Sequence, residues 1–145
     1  MSDNTVTLLL VEDDDVAAEA VERAFRRAKI SNPIVRARDG IEALVKLRDK
    51  SVPRAVPRPD LILLDLKMPR MNGLTFLQEL RNDPELKQTI VFVLTTSDSE
   101  KDRDDAYKYL IAGYIAKSRA GQDFMELIQL LDLYWRVVEF PPQKH

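Results

Sequence analysis

Cysteine is absent from this chain of 145 residues, which excludes a disulfide framework and thiolate chemistry. Net charge is nearly absent too. At −2 it is too small to draw the protein to nucleic acid or to a membrane surface by bulk electrostatics. No apolar run approaches the ~20 residues that span a bilayer. The opening Met1-Ser2-Asp3-Asn4 lacks the basic start of a signal peptide, so a cytoplasmic protein is expected. The one histidine, His145, ends the chain and is expected to be idle. There is no internal repeat and no low-complexity segment. Hydrophobic residues make up 45% and charged residues 32%, the balance of an ordinary globular protein of one domain.

The chain is organised around Leu61-Ile62-Leu63-Leu64-Asp65, with Lys67, Pro69 and Asn72-Gly73 following. Four consecutive large aliphatics read as a strand buried on both faces, as in a parallel sheet. The run stops on a carboxylate. A lone Asp there can simply cap a loop, but three other strands also end on polar groups. Thr5–Val11 runs into Glu12-Asp13-Asp14-Asp15, Ile90–Leu94 into Thr95, and Tyr114–Ala116 into Lys117.

Helices are expected between the strands. Val16–Lys29 places Ala17, Ala20, Val21, Ala24, Phe25 and Ala28 on one stripe. After a short strand at Ile34–Ala37, Asp39 and Glu42 form a capping box for a helix to about Arg48. Asp49–Pro59, with Pro53, Pro57, Arg54 and Arg58, reads as an exposed loop. Leu74–Arg81 is a third helix. Ser97 and Glu100 offer a second capping box, for a helix to Ile111.

The last helix, Gln122–Val138, is apolar over more than one face. Phe124, Leu127, Ile128, Leu131, Tyr134, Trp135 and Val138 form the expected core stripe, and Leu130, Leu133 and Val137 form a second beside it. Together they cover roughly 220° of the helix, about twice what packing on one sheet requires. An extended tail from Glu139 follows.

Strands alternating with helices predict a flavodoxin-like α/β fold, a (βα)5 doubly wound parallel sheet of strand order 2-1-3-4-5. The domain is expected over 5–138 and the tail over 139–145. Strands one and three are then neighbours. Glu12, Asp13, Asp65, Thr95 and Lys117 share the crevice at the carboxyl ends of the strands. Neighbouring carboxylates cannot all stay ionised without a counter-charge. Mg²⁺ prefers oxygen ligands and leaves positions for phosphate oxygens. A Lys and a Thr hydroxyl are good donors to a phosphoryl group. The set suits formation of an acyl phosphate on a carboxylate.

The stretches VEDD, LILLDLKMPRMNG, VLTT and GYIAK together resemble the receiver domains of two-component response regulators, over about Thr5 to Val138. The resemblance implies that Asp65 is the phosphoacceptor and Asp13 a direct Mg²⁺ ligand. Glu12 then acts through water or as a weaker ligand, and the Lys67 backbone carbonyl supplies a further oxygen. The register of the acidic run is open by one, so that Asp13 and Asp14 are the alternative pair. Thr95 and Lys117 contact the phosphoryl group, and Tyr114 is the aromatic that switches with Thr95. Receivers usually follow the Lys with Pro; Ser118 stands there instead. Lys67 is expected to lie over the phosphoryl group and alter its loss.

Within the family, the Pro-rich insertion, LTTS, AKSR and WRVVEFPP are similar to stand-alone regulators partnered with bacterial and cyanobacterial phytochromes. That implies a histidine kinase as partner, a red-light photoreceptor in particular, and a homodimer through the last helix and tail. Leu130, Leu133, Val137 and Phe140 are the interface residues. Signalling then passes to another protein, with neither nucleic acid nor membrane as partner, and the chain is not an enzyme beyond its own phosphotransfer and dephosphorylation. The rivals are a degenerate receiver serving as an interaction module, a small Mg²⁺-dependent phosphohydrolase, and a flavin carrier. The hydrolase needs a second acid at the position of Lys67. The flavin carrier needs a phosphate cradle where four acids stand.

Overall fold

The computed structural model describes residues 6–51, 59–97, 99–121 and 124–141. Strands and helices alternate as β1 (Leu8–Val11), α1 (Asp15–Arg27), β2 (Ile34–Ala37), α2 (Gly40–Leu47) and β3 (Leu61–Leu64). They continue as α3 (Gly73–Asn82), β4 (Ile90–Thr95), α4 (Glu100–Tyr107), β5 (Gly113–Ala116) and α5 (Met125–Val137). All strand pairs are parallel, in the order β2-β1-β3-β4-β5. This is the flavodoxin-like order that the alternation predicts.

Successive strand residues point to opposite faces, so each strand feeds two cores. Leu9, Val11, Ile62, Leu64, Val91 and Val93 pack with Leu44, Phe76, Leu77 and Leu80 of α2 and α3. Leu8, Leu10, Leu61, Leu63, Phe92 and Leu94 pack with Val21 and Phe25 of α1 and with Leu127, Ile128 and Leu131 of α5. Rings lock α5 down. Trp135 lies 5.9 Å from Phe25, and Tyr134 meets Phe92 edge-on at 5.0 Å. Among the described residues no helix is long and apolar enough to cross a membrane.

Several boundaries differ from the sequence reading, each for a local reason. Asp14 accepts from the Val16 amide at 2.9 Å, which starts α1 at Asp15. The buried stripe of α1 is Ala18, Val21, Ala24 and Phe25, with Ala17 and Ala20 at its margin and Ala28 past its end. Ser99, not Ser97, caps α4, accepting from the Asp102 amide at 3.2 Å. That helix ends at Tyr107 rather than Ile111, and Ala106 is its one buried residue, so little packing extends it.

Helix α5 starts at Met125, after Phe124 in the left-handed region at φ 60°. Val138, expected in the core, is exposed. Phe140, just past the helix, meets Tyr134 edge-on at 5.8 Å. Pro59 is buried rather than part of an exposed loop. The expectations for Thr5, Pro53, Arg54, Pro57, Arg58, Gln122 and residues 142–145 lie outside the described residues.

Gly73 sets the loop that carries Asp65. A Cβ there would stand 2.6 Å from the Leu66 Cα and 3.0 Å from the Asp65 carbonyl oxygen. The first residue of α3 therefore packs backbone to backbone, and its amide donates to the Leu66 carbonyl at 3.0 Å.

Candidate functional site

Val11 pairs with Leu64 in the β1–β3 register, so Glu12 and Asp65 leave the sheet side by side. The Asp65 amide donates to the Val11 carbonyl at 3.0 Å, which ties the two strand ends together. Both side chains are buried, Glu12 at 2% and Asp65 at 6% exposure, while Asp13 is exposed. Carboxylate oxygens of Glu12, Asp13 and Asp65 all lie within 4.8 Å of one another. Lys117, just past β5, closes the group. Its ammonium is 2.7 Å from Glu12 and 3.4 Å from Asp65.

The other two acids of the run are used locally. Asp14 caps α1. Asp15 accepts from Arg36 and Arg38, each at 2.7 Å. Arg36 also grips the Glu12 carbonyl through Nε at 3.1 Å and Nη2 at 2.8 Å, which fixes the backbone where the run turns into the crevice. Sequence reasoning missed Arg36. A charged residue in a short strand carries no signal of where its side chain goes.

Electrostatically the crevice is short of positive charge. Burial pushes the Glu12 carboxyl up to about 7, and the Asp65 charge adds to that against the opposing pull of Lys117. Burial alone would lower the Lys117 ammonium, but Glu12 and Asp65 together raise it. Among the described residues, three converging carboxylates face one ammonium. An all-oxygen donor set with surplus negative charge fits a hard divalent cation.

Thr95 is fully buried at the end of β4, the strand next to β3. Its hydroxyl accepts from the Ser97 amide at 3.3 Å, and the Ser97 carbonyl accepts from the Tyr114 hydroxyl at 3.2 Å. Lys67 places its amide 3.0 Å from Asp65 Oδ1. Its side chain does not lie over Asp65. The ammonium pairs with Asp102 of α4 at 3.3 Å. In the unphosphorylated chain α4 thus offers that side chain a carboxylate away from Asp65. Ser97 and Asp102 were missed as site neighbours. Ser97 was read as a cap, and Asp102 was one acid in a charge-rich helix. Lys117 and Ser118 begin a 3₁₀ turn, Lys117–Arg119, where a proline was the usual successor. On α5, Leu130, Leu133 and Val137 point outward and are exposed, whereas Phe140 packs on Tyr134 of its own chain.

Comparison with known proteins agrees with this geometry. The family model for the response regulator receiver domain matches residues 8–129. Response regulator Rcp1 of Synechocystis sp. is 34% identical over 128 residues, covering 88% of this chain and 87% of its own. The manganese-bound form of Rcp1 superposes with a TM-score of 0.81 over 94% of this chain and 99% of that one, at 33% identity. The phosphorylated cyanobacterial phytochrome response regulator RcpA gives 0.83 at 32% identity, covering 94% and 99%. A response regulator in red light signaling of R. palustris gives 0.82 at 30%, covering 95% and 99%.

Proposed function

This chain belongs to the response regulator receiver family, and from that membership we propose that Asp65 accepts a phosphoryl group from a histidine kinase with Mg²⁺ in the adjoining acidic cluster. The observation that carries the reading is the convergence of Glu12, Asp13 and Asp65 at the strand ends with Lys117 reaching across. Asp13 and Asp65 are the direct ligands in this proposal. Glu12 acts through water, and the Lys67 carbonyl belongs to a residue whose amide already touches Asp65. Asp14, whose Oδ1 accepts from the Val16 amide at 2.9 Å, stands outside the set in this reading. The bound cation supplies charge neutralisation on the transferring group.

An Asp65 carboxylate oxygen attacks the phosphorus of the kinase phosphohistidine. The P–N bond breaks, the imidazole leaves, and a mixed anhydride forms on Asp65. Water later attacks the same phosphorus, releasing inorganic phosphate and restoring the carboxylate. Lys117 and the Thr95 hydroxyl donate to the phosphoryl oxygens. Thr95 moves toward them, Tyr114 follows, and the exposed surface of α4, β5 and α5 changes for another protein to read. The protein is a cytoplasmic signalling receiver rather than a turnover enzyme.

The relatives named for phytochrome and red-light signalling support a phytochrome-type kinase as the donor. A second copy of this chain is the occupant of the outward α5 face. Leu130, Leu133 and Val137 line it at helical spacing, which suits two equivalent helices about a two-fold axis.

The test is phosphotransfer from purified histidine kinases, phytochrome-type ones included, to the wild type and to Asp65→Asn. Label is expected on the wild type alone and to depend on Mg²⁺. Label of equal amount on Asp65→Asn would refute the assignment.

A further inference from the structure

Lys67, Ser97 and Asp102 form a polar bridge from the crevice to α4 that the proposed chemistry leaves unused. Asp102 Oδ2 takes the Lys67 ammonium at 3.3 Å and the Ser97 hydroxyl at 2.7 Å. Lys67 abuts Asp65 through its amide. Ser97 is bonded to Thr95 through its amide and to Tyr114 through its carbonyl. One carboxylate oxygen thus joins the residue beside the acceptor to the residue between Thr95 and Tyr114. The Ser97 hydroxyl first, and Lys67 after it, hold the Asp102 carboxyl below the usual carboxylate range.

The bridge is built to be broken. The Lys67 side chain is 61% exposed, and an ion pair that open to solvent is weak. It borders a cavity of about 430 Å³ lined by Leu66, Lys67, Met68, Asn72, Leu74 and Asp102, so packing does not hold the lysine in place. A phosphoryl group adds close to two negative charges beside residue 67. It then competes with Asp102 for the same ammonium.

Building on Asp65 as phosphoacceptor, we propose that Asp102 is a positioning residue that keeps Lys67 off the phosphoryl position and holds Ser97 in its unphosphorylated arrangement. Capture of Lys67 by the phosphoryl group frees the Asp102–Ser97 end, and α4 with it. Lys67 in turn shields the phosphorus from water. Phosphoryl lifetime and output surface are therefore set by one shared carboxylate.

Asp102→Asn keeps an acceptor for the Ser97 hydroxyl and removes the charge that holds Lys67. Its phosphoryl group is expected to decay about fivefold more slowly than that of the wild type, a change within reach of an exposed ion pair. In a Lys67→Ala background the same substitution is expected to change nothing. A second readout needs no phosphoryl group. The Ser97 and Thr95 amide resonances are expected to shift in Asp102→Ala and to stay near wild type in Asp102→Asn. Equal decay rates for wild type and Asp102→Asn would overturn the proposal, as would an effect undiminished without Lys67 or unmoved resonances in Asp102→Ala. A wild type that takes no label from any donor defeats the phosphoacceptor reading itself. That result is distinct from label that decays at an unaltered rate.

Discussion

Glu12, Asp13, Asp14 and Asp15 are consecutive, yet each carboxylate meets a different neighbour. Glu12 meets Lys117, Asp13 the acidic cluster, Asp14 a helix amide and Asp15 two arginines. The repulsion that four adjacent acids imply is relieved at Glu12, Asp14 and Asp15, while Asp13 converges with other carboxylates. Lys117 carries the largest share, since Glu12 is almost wholly buried beside it. Breaking a buried pair by deleting one partner costs about 3–5 kcal/mol when the survivor stays charged. Glu12 already binds its proton near neutrality, which caps that cost. Lys117→Ala is therefore expected to lower unfolding stability by about 2 kcal/mol without metal. Mg²⁺ is expected to restore part of the loss, because it replaces the missing charge. Urea titrations with and without Mg²⁺ check both; a loss that Mg²⁺ leaves unchanged would speak against a cation among these acids. At this scale the crevice residues were legible because each ends or follows a strand, and strand ends converge in a parallel sheet. The division of labour among the four acids was not. It depends on where α1 begins, to within one residue, and on Arg36 reaching in from β2.

Among elements, the connections around α3 show how much the site depends on backbone contact. Gly73→Ala forces a Cβ against the Leu66 Cα at 2.6 Å, and backbone cannot rotate away as a side chain can. The loop from Asp65 to Lys67 has to move, so Mg²⁺ binding is expected to weaken by tenfold or more while the sheet stays folded. Isothermal titration of the variant checks this, and unchanged affinity would show that the loop relaxes freely. At the other end of α3, the half-buried Arg81 donates to the carbonyls of Lys87, Thr89, Tyr109 and Leu110 at 2.7, 2.8, 2.7 and 3.2 Å. It ties α3 to the approach to β4 and to the turn before β5. Arg81→Ala is expected to cost about 3 kcal/mol, since a hydrogen bond to a charged group contributes ~1.5–3 and the orphaned carbonyls reach water only in part. Arg81→Lys should recover little, because one ammonium cannot span four acceptors. Urea midpoints of the two variants decide. Element order was legible from alternating patterns alone. The ends of α4 and α5 were not, because Ser97 and Ser99 are both cap-type residues and only Ser99 takes the Asp102 amide, and because Phe124 adopts a left-handed conformation that its residue type disfavours.

For the whole molecule, α5 poses the remaining question, because it is apolar on two sides and the sheet takes only one. Leu127, Ile128 and Leu131 are buried, whereas Leu130, Leu133 and Val137 are exposed at 43%, 62% and 71%. The double stripe was legible in the sequence as an arc too wide for one sheet. The fate of Phe140 was not, because its contact with Tyr134 depends on how the chain turns after α5. A second copy of the same helix offers a matching apolar row, so a closed two-fold pair buries the row on both chains at once. An aqueous edge for that pair is present: Arg136 and Asp132 form an ion pair on the same helix at 3.3 Å. Leu133→Glu with Val137→Glu puts like charges face to face across such an axis while leaving the buried stripe intact. The wild type is expected to sediment as a dimer at micromolar concentration and the double variant as a monomer, with unchanged circular dichroism. The pair does not need phosphate in this account, since the apolar row is already exposed in the unphosphorylated chain. A wild type that sediments as a monomer until Asp65 is phosphorylated would move the dimer from a standing property of α5 to a product of the switch.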